Sequence, residues 1–210
     1  MRITKLILST ALLLLPVSAL EAKSLDNRFA SIIVDGKKIG TVHFALTHSD
    51  AGELEELRTR ASYSVLGITV YSFTQDLQEL WKDGELQSVT GKTDDDGKIY
   101  EVDLKRMADG YEGTLNDKPV KLPLNAFPAS LWHYAITQQD LLFQLSDLRL
   151  TKVSVNESKV SKDQDGKTVE LDRFDFTGEW SASIWFDEEQ TFESTKYKSE
   201  GKTVNIALDL

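Results

Sequence analysis

Cysteine is absent from this 210-residue chain. That excludes disulfide scaffolding, thiol chemistry, lipid attachment through an N-terminal cysteine and cysteine-ligated zinc. Histidine is nearly as scarce, with only His43, His48 and His133. His43 and His48 are an odd number of residues apart, so a regular strand turns them to opposite faces and denies them a shared metal ion. No HExxH, G-x-S-x-G or phosphate-binding glycine loop occurs. Positive charge is in the minority: 24 Lys and Arg against 34 Asp and Glu leave a formal charge of −10. Nucleic acid and anionic membrane surfaces are therefore poor partners. Long helical periods are missing as well.

The one long apolar run is at the start. Arg2 and Lys5 precede LILSTALLLLPVSA, which is broken by Pro16 and ends with Val17 and Ala19 at the positions a signal peptidase reads. Ser9 and Thr10 interrupt it, and it falls short of the ~18 apolar residues that a membrane-spanning helix wants. The expectation is a removable leader over 1–19, a single domain over 20–210, and no membrane span after processing. A chain of this size buries roughly 70% of its unfolded surface. An exported chain of this length without disulfides suits a bacterial periplasm or secretion from a bacterium.

Beyond the leader, turns and alternation dominate. Asp-Gly occurs at 35–36, 83–84, 96–97, 109–110 and 165–166, and this pair suits the positive φ values of a two-residue hairpin turn. Between the turns the residues alternate with period two. Val204, Ile206 and Leu208 share one face, as do Tyr100, Val102 and Leu104, and Trp180, Ala182, Ile184 and Phe186. The pattern predicts an all-β fold: one antiparallel meander of roughly ten to twelve strands, curved into a closed or half-open barrel. Among the expected strands is a single one over 141–156. A change of parity between Leu171 and Phe174 suggests a β-bulge near Arg173. If 96–97 and 109–110 are both central turn pairs, Leu104 lies opposite Val89 on one side and Leu115 on the other. One short helix is expected near 129–137, with Ser130 as its cap.

The acidic stretch KTDDDGKIYEVD at 92–103 invites a calcium reading. An EF-hand loop with Gly97 at its sixth position would need an acid at the first, where Lys92 stands, and glutamate at the twelfth, where Asp103 stands. Both flanks alternate as strands. The stretch is read as a hairpin turn, and no metal or cofactor is expected. Carboxylates are plentiful, but their spacing selects no catalytic pair. Aromatics are the more informative group. Trp132, His133 and Tyr134 sit on the irregular segment, and Tyr71 and Phe73 alternate on a strand. These five are the candidates for bordering an interior ligand pocket.

Four segments recur together: IIVDGKKIGTVHF at 32–44, ELWKDGELQSVTGKTDDDGKIYEV at 79–102, SLW at 130–132 and SIWFD at 183–187. With them the chain resembles a family of secreted bacterial proteins known as a domain of unknown function. The resemblance implies a signal peptide, many antiparallel strands and a barrel-like fold, and it implies no activity, cofactor or site residue. At the level of architecture alone, the fold is similar to the half-open barrels of periplasmic lipoprotein carriers.

The expected function is non-enzymatic: a monomeric periplasmic or secreted barrel that takes a small apolar or amphipathic ligand into its interior. An envelope interaction module with a solid core is the first alternative, and a glycan or lipid hydrolase the second. An outer-membrane barrel is disfavoured, because charges on both faces of most strands do not suit lipid.

Overall fold

A computed structural model describes residues 23–164, 167–199 and 201–209. The leader, its cleavage position and the Asp165-Gly166 turn lie outside them. The sheet begins with β1 (Lys23–Val34), β2 (Lys37–Ser49), β3 (Gly52–Val65), β4 (Ile68–Lys82), β5 (Glu85–Asp95), β6 (Lys98–Met107), β7 (Gly110–Leu115) and β8 (Lys118–Pro123). Then come β9 (Phe127–Pro128), β10 (Leu141–Phe143), β11 (Leu150–Gln164), β12 (Lys167–Gly178), β13 (Ala182–Phe186), β14 (Phe192–Ser199) and β15 (Lys202–Leu208). All fifteen form one sheet in the order β8-β7-β6-β5-β4-β3-β2-β1-β15-β14-β13-β12-β11-β10-β9. Every pairing is antiparallel except that of β9 with β10.

The sheet is half-open, and its chemistry explains the seam. Its two outer strands, β8 and β9, follow one another in sequence but are not paired. Pro119, Pro123 and Pro128 lie on these two strands. Proline has no N–H to give a ladder and is confined to edges. Three of the chain's four prolines thus stand where the barrel fails to close.

Three hairpin turns match the Asp-Gly reading. Asp35-Gly36, Asp83-Gly84 and Asp96-Gly97 all have positive φ at both residues. Asp94 Oδ1 accepts the Gly97 N–H at 2.7 Å, and Lys92 pairs with Glu101 at 2.7 Å across the strands. The acidic stretch is therefore a hairpin.

Asp109-Gly110 departs from the expectation. Met107 pairs with Gly110, so the turn residues are Ala108 and Asp109, and neither has positive φ. A Cβ on Gly110 would meet the Leu122 carbonyl oxygen at 2.3 Å, so the glycine serves the close approach of β8. Val89 does face Leu104, but its other neighbour is Gly113, and Leu115 faces Val102. A slip of two residues keeps every side chain on its own face, which is why Leu104 is still wholly buried.

The remaining differences have similar local causes. β8 carries two prolines and lies outside the strands that the alternation predicts. The expected 141–156 strand divides at a turn where Asp147 Oδ1 accepts the Arg149 N–H at 3.1 Å. Pairing through Arg173 is continuous, without the expected bulge. Leu171 is buried outside the inner clusters that hold Phe174 and Phe176, so the parity change records a change of covered face. The short helix is a 3-10 turn at Tyr134–Gln138, and its N-cap, His133, makes no side-chain cap. Ser130 is instead buried in the interior.

Candidate functional site

Odd-numbered residues of β3 and β4 face inward. This places Leu57, Thr59, Ala61 and Tyr63 beside Tyr71, Phe73 and Gln75 on one wall of an interior cavity of about 510 Å³. Val42, the cross-strand neighbour of Thr59, continues this wall, and Val204 and Ile206 of β15 line the cavity further round the sheet. Trp132 reaches in from the irregular segment, stacked on Phe44 at 5.3 Å and set edge-on to Phe192 at 4.5 Å. The volume falls within the ~300–1,000 Å³ of small-molecule pockets and exceeds the ~150 Å³ that accommodates benzene.

The lining is mixed: Thr59, Gln75 and Ser130 stand among its aliphatic side chains, and Val34 and Ile39 lie beside the polar groups at the end that carries the β1–β2, β3–β4 and β14–β15 turns. There the Tyr71 hydroxyl donates to Asp95 Oδ1 at 2.8 Å. Burial first, and then the Asp95 carboxylate, hold the Tyr71 phenol well above its ordinary pKa. Lys202 Nζ sits 4.8 Å over the Tyr63 ring and 3.8 Å from Asp35 Oδ2. A largely apolar cavity with a tyrosine, lysine and aspartate cluster at one end suits a molecule that has one apolar end and one polar end.

Three of the five residues singled out from sequence, Trp132, Tyr71 and Phe73, line this cavity. The other two turn elsewhere. Tyr134 packs edge-on against Phe174 at 5.5 Å and Phe186 at 5.1 Å. His133 stacks on Trp81 with ring centroids 3.9 Å apart, and its Nε2 lies 2.8 Å from Glu55 Oε1.

That contact leads to a cluster the sequence reading did not select. Glu55 and Glu79 face one another across β3 and β4, and both are buried. Trp81 Nε1 donates to Glu79 Oε2 at 3.1 Å. Burial, followed by the charge of Glu55, pushes the Glu79 carboxyl up to about 8, with the neighbouring Trp81 and Ser130 acting in the other direction. The neutral acid it favours carries an O–H donor that an ionised carboxylate lacks. Parity held the signal: Glu79 alternates with Leu77 and Trp81, and Glu55 with Leu57. Neither carboxylate lines the cavity. Among the described residues, no group of three or more histidines and carboxylates is arranged to hold a metal.

The described residues define a half-open, β-barrel-like protein with an apolar interior cavity. The chain belongs to the DUF6134 family, a domain of unknown function, whose model matches residues 31–209. Among solved structures it is similar to the crystal structure of a β-barrel-like protein of a domain of unknown function, DUF1849, from Brucella abortus. That likeness has a TM-score of 0.60 at 12% identity, and covers 87% of this chain and 95% of the other. At that identity it speaks for the fold alone. No curated protein matches the chain.

Proposed function

We propose that this protein is exported by a bacterium, loses residues 1–19, and works as a monomer in the periplasm or outside the cell, holding a small apolar or amphipathic ligand in its barrel. The observation that carries this reading is the 510 Å³ cavity, largely apolar in its lining, with a tyrosine, lysine and aspartate cluster at one end. Such a lining suits an acyl-like tail inside with its polar head beside Lys202, Tyr63 and the Tyr71–Asp95 pair. The binding is non-enzymatic. The buried carboxylate pair recommends itself for hydrolysis by its raised acid, yet neither carboxylate lines the cavity where a bound molecule would rest. An open interior likewise sits poorly with a solid-core interaction module.

The test is titration of the delipidated protein with an apolar fluorescent probe whose emission rises on leaving water. Saturable binding is expected, and Ala61→Trp, which fills the cavity from its wall, should weaken it at least about tenfold, as overfilling a pocket does. Equal binding by both proteins would show that the cavity is not where the probe resides.

A further inference from the structure

The β3–β4 hairpin tip is out of character with the other hairpin tips. Charged residues make up 28% of the chain, yet none occurs from Ala61 to Gln75. Among the described residues, the other two-residue turns with positive φ at both positions carry Asp35-Gly36, Asp83-Gly84, Asp96-Gly97 or Asn116-Asp117. This one carries Leu66-Gly67, with Leu66 at φ 52°. Asn and Asp tolerate the left-handed region, whereas a bulky residue rarely occupies it. Leu66 is also 99% exposed, beside Ile68 at 69%, Val70 at 51% and Val65 at 47%. Both local conformation and solvent disfavour leucine there, so its presence calls for an apolar medium around the tip.

We propose that this hairpin inserts into the surface of a lipid bilayer and docks the cavity mouth onto it. The layering along the hairpin matches the profile of a bilayer interface. At the tip, the four exposed aliphatic residues surround the turn. Ser64 and Thr69, the polar side chains closest to it, lie within hydrogen-bond reach of each other at 3.3 Å, so neither hydroxyl need face the apolar medium alone. One rung below, Tyr63 and Tyr71 are directly paired, and tyrosine is the residue type that settles at headgroup level. Further down, Arg60 grips Asp76 through two 2.7 Å contacts, at the level where water returns.

From Leu66 back to Tyr63 is three residues, or about 10 Å at ~3.3 Å per residue. That is the depth to which interfacial elements bury. Tyr63 and Tyr71 are at once the belt of the hairpin and part of the cavity lining, so insertion brings the mouth to the lipid surface. With no cation on the tip, docking is driven by apolar burial and does not need anionic lipid. It stands whether or not the cavity holds a ligand.

The experiment is flotation of the full processed chain with electroneutral phosphatidylcholine vesicles at low and high salt. Wild type should float equally in both. Leu66→Asp restores the residue that three other turns use, so it should fold with an unchanged or raised melting temperature while losing at least about tenfold in vesicle affinity. That pairing separates docking from misfolding. Failure of wild type to float, salt-sensitive binding restricted to anionic vesicles, or undiminished flotation of Leu66→Asp would each overturn the proposal. So would concentration-dependent self-association, without vesicle binding, that Leu66→Asp abolishes; the tip would then be covered by a second copy of the chain.

Discussion

Glu79→Gln should change how stability depends on pH more than it changes stability at any single mildly acidic pH. Glu79 is 4% exposed, and its folded pKa stands near 8 against an ordinary 4.5. Between those values the folded chain holds a proton that the unfolded chain has released. The native state then binds more protons than the unfolded state, and stability must fall as pH rises through this window. One pKa unit corresponds to about 1.4 kcal/mol, so the whole span amounts to on the order of 4 kcal/mol. Glutamine keeps the shape and the oxygen that accepts from Trp81, but has nothing to ionise. The groups facing position 79 are Glu55, Trp81 and Ser130, with His133 beyond Glu55. Urea denaturation at pH about 4.5 and about 8 checks the reasoning. Wild type should lose several kcal/mol between the two, while the variant loses much less and is the more stable protein at the alkaline end. Because an acidic chain also gains general repulsion as pH rises, the quantity to read is the difference between the two proteins. Parallel declines would refute the account of a neutral buried acid.

Leu104→Ala should cost about 2–5 kcal/mol in urea denaturation, because Leu104 is wholly buried between Val89 and Gly113. Asp103→Ala, on the exposed face, should change little. Gly110→Ala should lower stability by about 1–3 kcal/mol through collision with β8. Gly110→Asn should do no better, although asparagine would be tolerated if a left-handed turn were all that the glycine served. N-terminal sequencing of exported material should begin at Leu20, and recovery of Met1 would contradict the proposed leader.

How much was legible in the sequence depended on how local the cause was. Asp35, Asp83 and Asp96 announce their turns because a two-residue turn is decided by the residues within it. The inward face of β4 follows from period two alone, and it carried Tyr71 and Phe73 to the cavity. What was lost depended on distant neighbours. Gly110 looks like a turn residue until β8 lies against it. β8 itself hides behind Pro119 and Pro123, which are admissible only because that strand is an edge. Trp132, His133 and Tyr134 are adjacent in sequence, yet each packs on a different partner, because an irregular segment has no period to sort its faces. Glu55 and Glu79 were invisible as a pair for another reason. Alternation placed each of them inward, but only the β3–β4 register sets them face to face.

The proposed carrier role is tested most directly by native mass spectrometry of the protein purified from its native source without organic solvent. The account predicts a species heavier than the processed chain by one small molecule, released by solvent extraction and absent from Ala61→Trp. A spectrum containing only the bare chain, from protein whose cavity also refuses an apolar probe, would contradict it.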